Sequence, residues 1–590
     1  MRKISLISFV LALVATVTYA QKTPAINESD VMERKDTPTT EVNGMWWVFN
    51  EENRTAYFAY RCNRRDVMDT EWLRDNDPGV YSGDIVIPET VNGYTVAGIW
   101  EFAFDGCQNL KSVTLPSTIK VIGTYAFWNC SIKEITIPSS VEAIGDYGLS
   151  GNKLKKVVLE DGTKTLKLGY GSAAGVAPNI GTPMFGDLGG QEIEEAYIGR
   201  RIESQWPDLF HGNQTLKKLT LSDNVLSVAD SYCENCPNLE TVVLGKNINS
   251  IGNAAFWGCS KLTSINLPQG VISIGNSAFT GCESMTKIHF PTTLKTIGEY
   301  AFGQTALTEL TIPASVDEIG EAALVIQTLK KVTIEDGETT LNMGRNSWAP
   351  MFGEGNVIEE AYIGRNIESD LFHGNQTLKK ITFGDMVTSI YESYCEGTPL
   401  ETLILGTSVK NIGESAFSAF WEESARLSVI YSYATTPPVC ADDNVFNNIN
   451  KQTCKLYVPV GTASAYKNAK TWKDFFAIEE MAETKCATPT ISLENGKLKF
   501  TSTTKGVEFH YEVTVAGSKK GIGNEVEVPA KYTVSVYATK AGLEDSDVST
   551  VELSGNAGGS SSGVVGDVNN DGVTNAADVV TLVNIIMDNQ

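Results

Sequence analysis

The chain has 590 residues, 42% of them hydrophobic, with eleven cysteines, four histidines and a formal net charge of −24. That length exceeds one compact core, so several units are expected. The acidic balance excludes nucleic acid as a partner, because nothing here could neutralise a row of phosphates.

Residues 1–20 read as a secretory leader. Arg2 and Lys3 form a positive start, residues 4–17 are mostly apolar, and Thr18-Tyr19-Ala20 offers a small-residue cleavage site. The apolar run is too short to span a bilayer comfortably, and no other stretch is long and apolar enough. A secreted or cell-surface chain that does not span the membrane is expected. Residues 21–40 read as a polar linker. Residues 41–98 hold strand-like runs, Trp46-Trp47-Val48-Phe49, Ala56-Tyr57-Phe58-Ala59-Tyr60 and Asp84-Ile85-Val86-Ile87-Pro88. They suit an N-terminal cap.

From residue 99 the chain repeats. Ile122-Gly-Thr-Tyr-Ala-Phe127 returns as Ile251-Gly-Asn-Ala-Ala-Phe256, Ile274-Gly-Asn-Ser-Ala-Phe279, Ile297-Gly-Glu-Tyr-Ala-Phe302 and Ile412-Gly-Glu-Ser-Ala-Phe417. A period of 22–23 residues predicts stacked coils, each unable to bury its apolar face alone. In one unit, Val113 and Leu115 face inward from a short strand, and Pro116, without an amide donor, ends it. Gly123 is expected to ease a backbone turn. The phenylalanine position can be followed through Phe104, Phe127, Leu149, Phe185, Phe210, Cys233, Phe256, Phe279, Phe302, Leu324, Phe352, Phe372, Cys395 and Phe417 to Phe446. A larger duplication overlies the small one: Leu154-Lys-Lys-Val matches Leu329-Lys-Lys-Val, and Phe210-His-Gly-Asn-Gln-Thr-Leu216 matches Phe372-His-Gly-Asn-Gln-Thr-Leu378. His211 and His373 are therefore expected to be copied architecture.

The Leu-Pro-x-x-Leu-x-x-Ile-Gly-x-x-Ala-Phe-x-x-Cys pattern resembles the BspA-type leucine-rich repeats of bacterial surface proteins, over roughly residues 85–480. The resemblance implies a curved solenoid over 99–434, export, and in some members adhesion to host proteins or other cells. Residues 435–483 are similar to the closing segment of such arrays, a C-terminal cap with a helix-like run over 463–472. In this exported chain Cys440 and Cys454 are a candidate disulfide pair there, with two free thiols as the alternative.

Residues 487–553 lose the repeat. Alternating runs such as Lys497-Leu-Lys-Phe500 and Tyr532-Thr-Val-Ser-Val-Tyr537 predict a small β-sandwich, similar to Ig-like or fibronectin-like spacers. Residues 554–563 are a Gly/Ser-rich tether. In 564–590, Asp567, Asn569, Asp571, Asn575 and Asp578 offer oxygen ligands at loop positions 1, 3, 5, 9 and 12, with the Val573 carbonyl at position 7 and Gly572 at position 6. Calcium is the expected cofactor, and an apolar helix comes after the loop. The segment resembles half of a dockerin, a module that binds cohesin, which implies a cohesin-like partner. The whole reads as mostly β with short helical turns: a leucine-rich repeat solenoid, then a small sandwich, then a short calcium-binding helical tail.

Other constellations dissolve in the register. Cys233-x-x-Cys236 has redox spacing, but Phe256-x-x-Cys259 and Phe279-x-x-Cys282 share its frame, so buried thiols are expected. No H-E-x-x-H pair or phosphate loop occurs. If the solenoid binds a protein or glycan, the outward strand positions are the place. One stripe holds Thr114, Thr136, Thr220, Val243, Asn266, His289, Thr311, Thr333 and Thr382. Its neighbour holds Ser112, Glu134, Lys156, Lys218, Lys287, Glu309, Lys331 and Lys380. A non-enzymatic binding or adhesion protein is expected. The alternatives are an assembly component using the tail, and a glycan-acting enzyme with its site in the 169–187 insertion.

Overall fold

The computed structural model describes residues 39–59, 81–169, 184–185, 192–204, 208–344, 350–481, 488–494, 497–502, 507–514, 519–522, 525–527, 531–539 and 546–554. The leader, the tail and most of the 169–187 insertion lie outside them. The chain divides into two units, residues 1–458 with 464–479 and residues 459–463 with 480–590.

The first unit is the solenoid. Most coils supply one front strand and one short second strand, and both stack in parallel on their counterparts. Lys156–Leu159 lies between Glu134–Ile137 and Glu195–Ile198, with Thr136, Val158 and Tyr197 side by side. Glu134–Ile137 alternates exposed and buried residues, as a half-buried pleated strand should. The second ladder pairs Val121–Ile122 with Ala143–Ile144, and farther on Ser250–Ile251 with Ser273–Ile274. The front ladder begins at Gly83–Val86, which pairs with Leu110–Thr114 inside the segment read from sequence as cap.

A return run comes after each second strand. A Cβ on Gly123 would stand 2.5 Å from the Glu101 nitrogen, and one on Gly275 2.6 Å from the Asn253 nitrogen. The glycine is therefore required by the close approach of neighbouring coils, not by the turn freedom expected. Positive φ arises two residues later, at Tyr125 (52°) and Ser277 (55°). Return-run amides are satisfied by the next coil: Phe256 N–H donates to Ala278 O at 2.9 Å, and Phe279 N–H to Ala301 O at 2.9 Å. The residue after the glycine, or after Ala229 in its place, adds a side-chain ladder. Asp230 Oδ1 accepts from Asn253 N–H (2.7 Å), Asn253 Oδ1 from Asn276 N–H (2.8 Å), and Asn276 Oδ1 from Glu299 N–H (2.9 Å).

The phenylalanine register becomes a core stack. Phe58, Phe104 and Phe127 are near-parallel at 4.6 and 4.9 Å, Phe256, Phe279 and Phe302 at 5.6 and 5.4 Å, and Phe417 lies 5.7 Å from Phe446. Where cysteine takes the position, the preceding alanine becomes tyrosine. Tyr232 and Tyr394 are buried beside Cys233 and Cys395, and the volume lost at one site is restored at its neighbour. Cys233, Cys236, Cys259 and Cys282 are free and buried, as the register predicts. Several thiols also bond the preceding coil: Cys236 Sγ–H donates to Phe210 O (3.1 Å) and Cys282 Sγ–H to Phe256 O (3.3 Å). Burial pushes Cys282 up to about 12, away from thiolate chemistry.

Two arginines are wholly buried. Arg200 donates to the carbonyls of Pro138 (2.9 Å), Ser139 (2.9 Å) and Val141 (2.6 Å). Arg365 does the same to Pro313, Ala314 and Val316. Each closes the carbonyls of the turn after a front strand belonging to an earlier coil. Desolvation lowers both pKa values.

The ends are closed. Thr40–Val42, Met45–Asn50 and Thr55–Ala59 form an antiparallel meander whose last strand pairs in parallel with Tyr94–Ile99, at the start of the second ladder. At the other end Val429–Ser432 and Lys455–Val458 extend the front ladder. The expected helix over 463–472 is shorter: Ala463–Asn468 is helical, and Trp472–Asp474 forms a separate 3-10 turn. Thr471 between them takes φ 68°, which breaks the helix. It seats Trp472 in the core, where Nε1–H donates to Pro438 O at 2.8 Å. Cys440 and Cys454 are separate free thiols, not the candidate pair. Cys440 ends a second-ladder strand, whereas Cys454 immediately precedes a front-ladder strand.

In the second unit every strand pairing among the described residues is antiparallel. Thr490–Glu494, Lys497–Thr501 and Glu525–Glu527 form one sheet; Lys519–Ile522, Glu508–Thr514, Lys531–Thr539 and Ser549–Ser554 form another. Leu498, Phe500, Phe509, Val534, Val536, Ala538 and Val551 make one buried cluster.

Candidate functional site

Because side chains alternate along a strand, aligned front strands present continuous outward columns. The stripe expected from sequence assembles in register. Thr114 lies beside Val86, and Thr136, Val158, Tyr197, Thr220 and Val243 form one column. Asn266 pairs with His289, and Ser264 with Lys287. Thr311, Thr333, Tyr362, Thr382, Ile404, Tyr431 and Tyr457 complete the run. Thr114, Thr136, Asn266, Lys287, His289 and Thr311 are exposed; Thr220, Thr333 and Thr382 are half-buried.

Tyr197, Tyr362, Tyr431 and Tyr457 were missed. Tyr197 and Tyr362 lie in identical runs, Glu194-Glu-Ala-Tyr-Ile-Gly-Arg200 and Glu359-Glu-Ala-Tyr-Ile-Gly-Arg365, and that internal copy was the available signal. Each tyrosine is tied to the turn of the preceding coil. Tyr197 O–H donates to Asp161 Oδ2 at 2.8 Å, and Tyr362 O–H to Asp336 Oδ1 at 2.9 Å. Burial first, then the bonded aspartate, raises both phenols, Tyr362 to about 12. Tyr431 stacks on Tyr457 at 5.1 Å.

In the neighbouring stripe Glu360 takes Lys380 (2.8 Å) and Lys331 (3.9 Å), and one residue before the strands of the first block Glu194 takes Lys217 (2.7 Å) and Lys155 (3.3 Å). These lysines hold the Glu194 carboxyl below its ordinary range, Lys217 most strongly. Such exposed pairs add little stability, but around Tyr362 they offset the charge beside the tyrosine and threonine column. The copied histidines sit elsewhere, on return runs, His211 3.7 Å from Glu234 and His373 3.4 Å from Glu396.

Among the described residues no group of three or more His, Cys, Asp or Glu is placed to hold a metal, and no helix is long and apolar enough to cross a membrane. The expected calcium ligands Asp567, Asn569, Asp571, Val573, Asn575 and Asp578 lie outside the described residues.

No curated protein matches the chain. Among solved structures it is similar to a leucine-rich repeat protein from Bacteroides ovatus, at 22% identity over 75% of this chain and 100% of that one, TM-score 0.37. A leucine rich cell surface protein from Faecalibacterium prausnitzii shares 18% identity over 76% and 96%, TM-score 0.25. The pneumococcal vaccine antigen PcpA shares 16% over 76% and 100%, TM-score 0.27. The model of the BspA type leucine rich repeat region matches residues 83–170, 179–263, 251–346 and 358–428, together more than half of the sequence. This chain belongs to the BspA-type leucine-rich repeat family.

Proposed function

We propose that this is an exported, non-enzymatic protein, secreted or held at the cell surface, that binds a protein partner through the outward face of its front strands. The observation that supports this most is the column of half-buried tyrosines, Tyr197, Tyr362, Tyr431 and Tyr457, set among threonines on a ladder of paired strands. Tyrosine supplies large contact area at low entropic cost and is enriched where binding energy concentrates. The C-terminal sheets serve as a sandwich-like spacer.

The full chain is to be tested against matrix glycoproteins, mucins and bacterial surfaces. Tyr362→Ala and Tyr431→Ala are expected to weaken capture by about thirtyfold each. Unchanged capture by both variants would overturn the front-face reading, and hydrolysis of a glycan or peptide by the purified chain would overturn the non-enzymatic one.

The tail supports a second reading. Oxygen-bearing residues at Asp567, Asn569, Asp571, Asn575 and Asp578, with the Val573 carbonyl, suit one calcium ion, and such a loop can dock a cohesin-like partner. Calorimetry with calcium on the full chain and on Asp567→Ala decides the ion site: equal heats refute it.

A further inference from the structure

The return runs carry a second surface. Three residues after Val228, Ile251, Ile274, Ile319, Ile390 and Ile412, the residues Ser231, Ala254, Ser277, Ala322, Ser393 and Ser415 all take φ between 50° and 55°. A left-handed backbone crowds Cβ against the following carbonyl, and a bulky residue there is a genuine outlier. In three successive N-terminal coils the position holds Phe102 (φ 55°), Tyr125 (52°) and Tyr147 (55°). Their rings stack at 5.2 and 5.0 Å with planes 8° and 11° apart. Trp128 stands beside the two tyrosines, nearly perpendicular to both, at 5.4 and 5.7 Å. All four are half-buried. Six other coils show that a small side chain suffices for the fold here, while Tyr300 (φ 55°) is the one further bulky residue at this position among the described residues. Strain kept where the fold does not need it points to a function.

We propose that the Phe102–Tyr125–Tyr147 stack with Trp128 is a binding edge for a neutral glycan. It lies on the return runs and is independent of the front-face reading. The rings offer a rigid apolar surface for the C–H face of a sugar, at little ordering cost. The Tyr125 and Tyr147 hydroxyls have no hydrogen-bond partner among the described residues, so they can donate to and accept from sugar hydroxyls. Asp146 lies between them in sequence and close enough to raise the Tyr125 phenol, after burial and Tyr147; its carboxylate can accept from a sugar hydroxyl. Residues 101–109, 123–131 and 145–152 contain Glu101, Asp105 and Asp146 but no Lys or Arg. That charge disfavours an acidic glycan and selects a neutral one.

The test is affinity electrophoresis of the full chain through gels cast with a neutral β-glucan, a neutral α-mannan, a xylan, or heparin as the acidic control. Retardation by at least one neutral polysaccharide and none by heparin is expected. Trp128→Ala should weaken it about tenfold. Tyr125→Phe keeps the stack, removes one hydroxyl and should weaken it about threefold; it decides the matter if Trp128→Ala does not fold. Tyr300→Ala, at the same coil position outside the stack, should change nothing. The proposal is overturned if no neutral polysaccharide retards the chain, if heparin alone does, or if a lysine- or proline-rich peptide is bound in their place. It is equally overturned if Tyr125→Phe matches the parent chain. Loss of protein capture in Tyr362→Ala with glycan retardation intact would show the two surfaces to be separate.

Discussion

The two copied blocks of coils can be laid side by side; they agree inside and differ at particular outward positions. Arg200 and Arg365 close equivalent turns. Asn213 donates to Phe185 O and accepts from the Thr215 and Leu216 amides; Asn375 repeats this with Phe352, Thr377 and Leu378, with matching Nδ2 distances of 2.7 Å. On the outer side Ser222 of the first block corresponds to Gly384 of the second. A Cβ on Gly384 would stand 2.5 Å from the Tyr362 hydroxyl and 2.4 Å from Asp336 Oδ1. His211 lies 3.7 Å from its glutamate with no aromatic ring against it among the described contacts, whereas His373 is covered by Phe420 at 5.6 Å. Buried carbonyls and amides must be paired wherever a coil is stacked, so the groups that pair them stay the same. Outward side chains answer to no such demand, and some of them, Ser222 and Gly384 among them, have diverged between the copies.

The comparison can be broken first at the arginines. Arg365→Met and Arg200→Met should each cost about 3 kcal/mol, because buried carbonyls lose a charged donor. Urea midpoints measure this, and a loss in one copy more than about twice that in the other would show that the turns are not equivalent. Asn375→Ala and Asn213→Ala come next, at about 2 kcal/mol each, from the donated bond, two accepted amide bonds and one accepted threonine hydroxyl. Amide exchange should localise the opening to residues 377–378 or 215–216; opening spread evenly over both copies would contradict the assignment. The smallest effect sharpens the outer difference. Gly384→Ser should cost about 1 kcal/mol and detach Tyr362 from Asp336, returning its phenol titration toward the ordinary value, seen as absorbance change at lower pH. Ser222→Gly in the other copy should leave Tyr197 bonded to Asp161.

Much of the molecule was legible beforehand, and particular residues show why. The phenylalanine register placed Cys233 and Cys395 in the core, and the structure buries both. Period-two alternation put Thr136, His289 and Thr311 outward. Tyr197 and Tyr362 escaped because a long step precedes each, from Leu149 to Phe185 and from Leu324 to Phe352, which breaks the 22–23-residue spacing just before their strands. The Phe102–Tyr125–Tyr147 stack escaped for another reason. Nothing in a string of letters marks a residue as left-handed, and three aromatics spaced 22–23 residues apart read as scattered until the coils are superposed.

By itself, then, the sequence determined the period, the stacking of coils, the burial of most cysteines and which strand faces look outward. Those features arise from short-range spacing and from the need of each apolar face for a neighbour. Only the tertiary structure decided what meets across coils: the reach of Arg200 and Arg365 to carbonyls about 50 to 60 residues earlier, the close approach that demands Gly123, the separate thiols of Cys440 and Cys454, and the aromatic edge. These depend on distances between coils, which spacing along the chain does not encode.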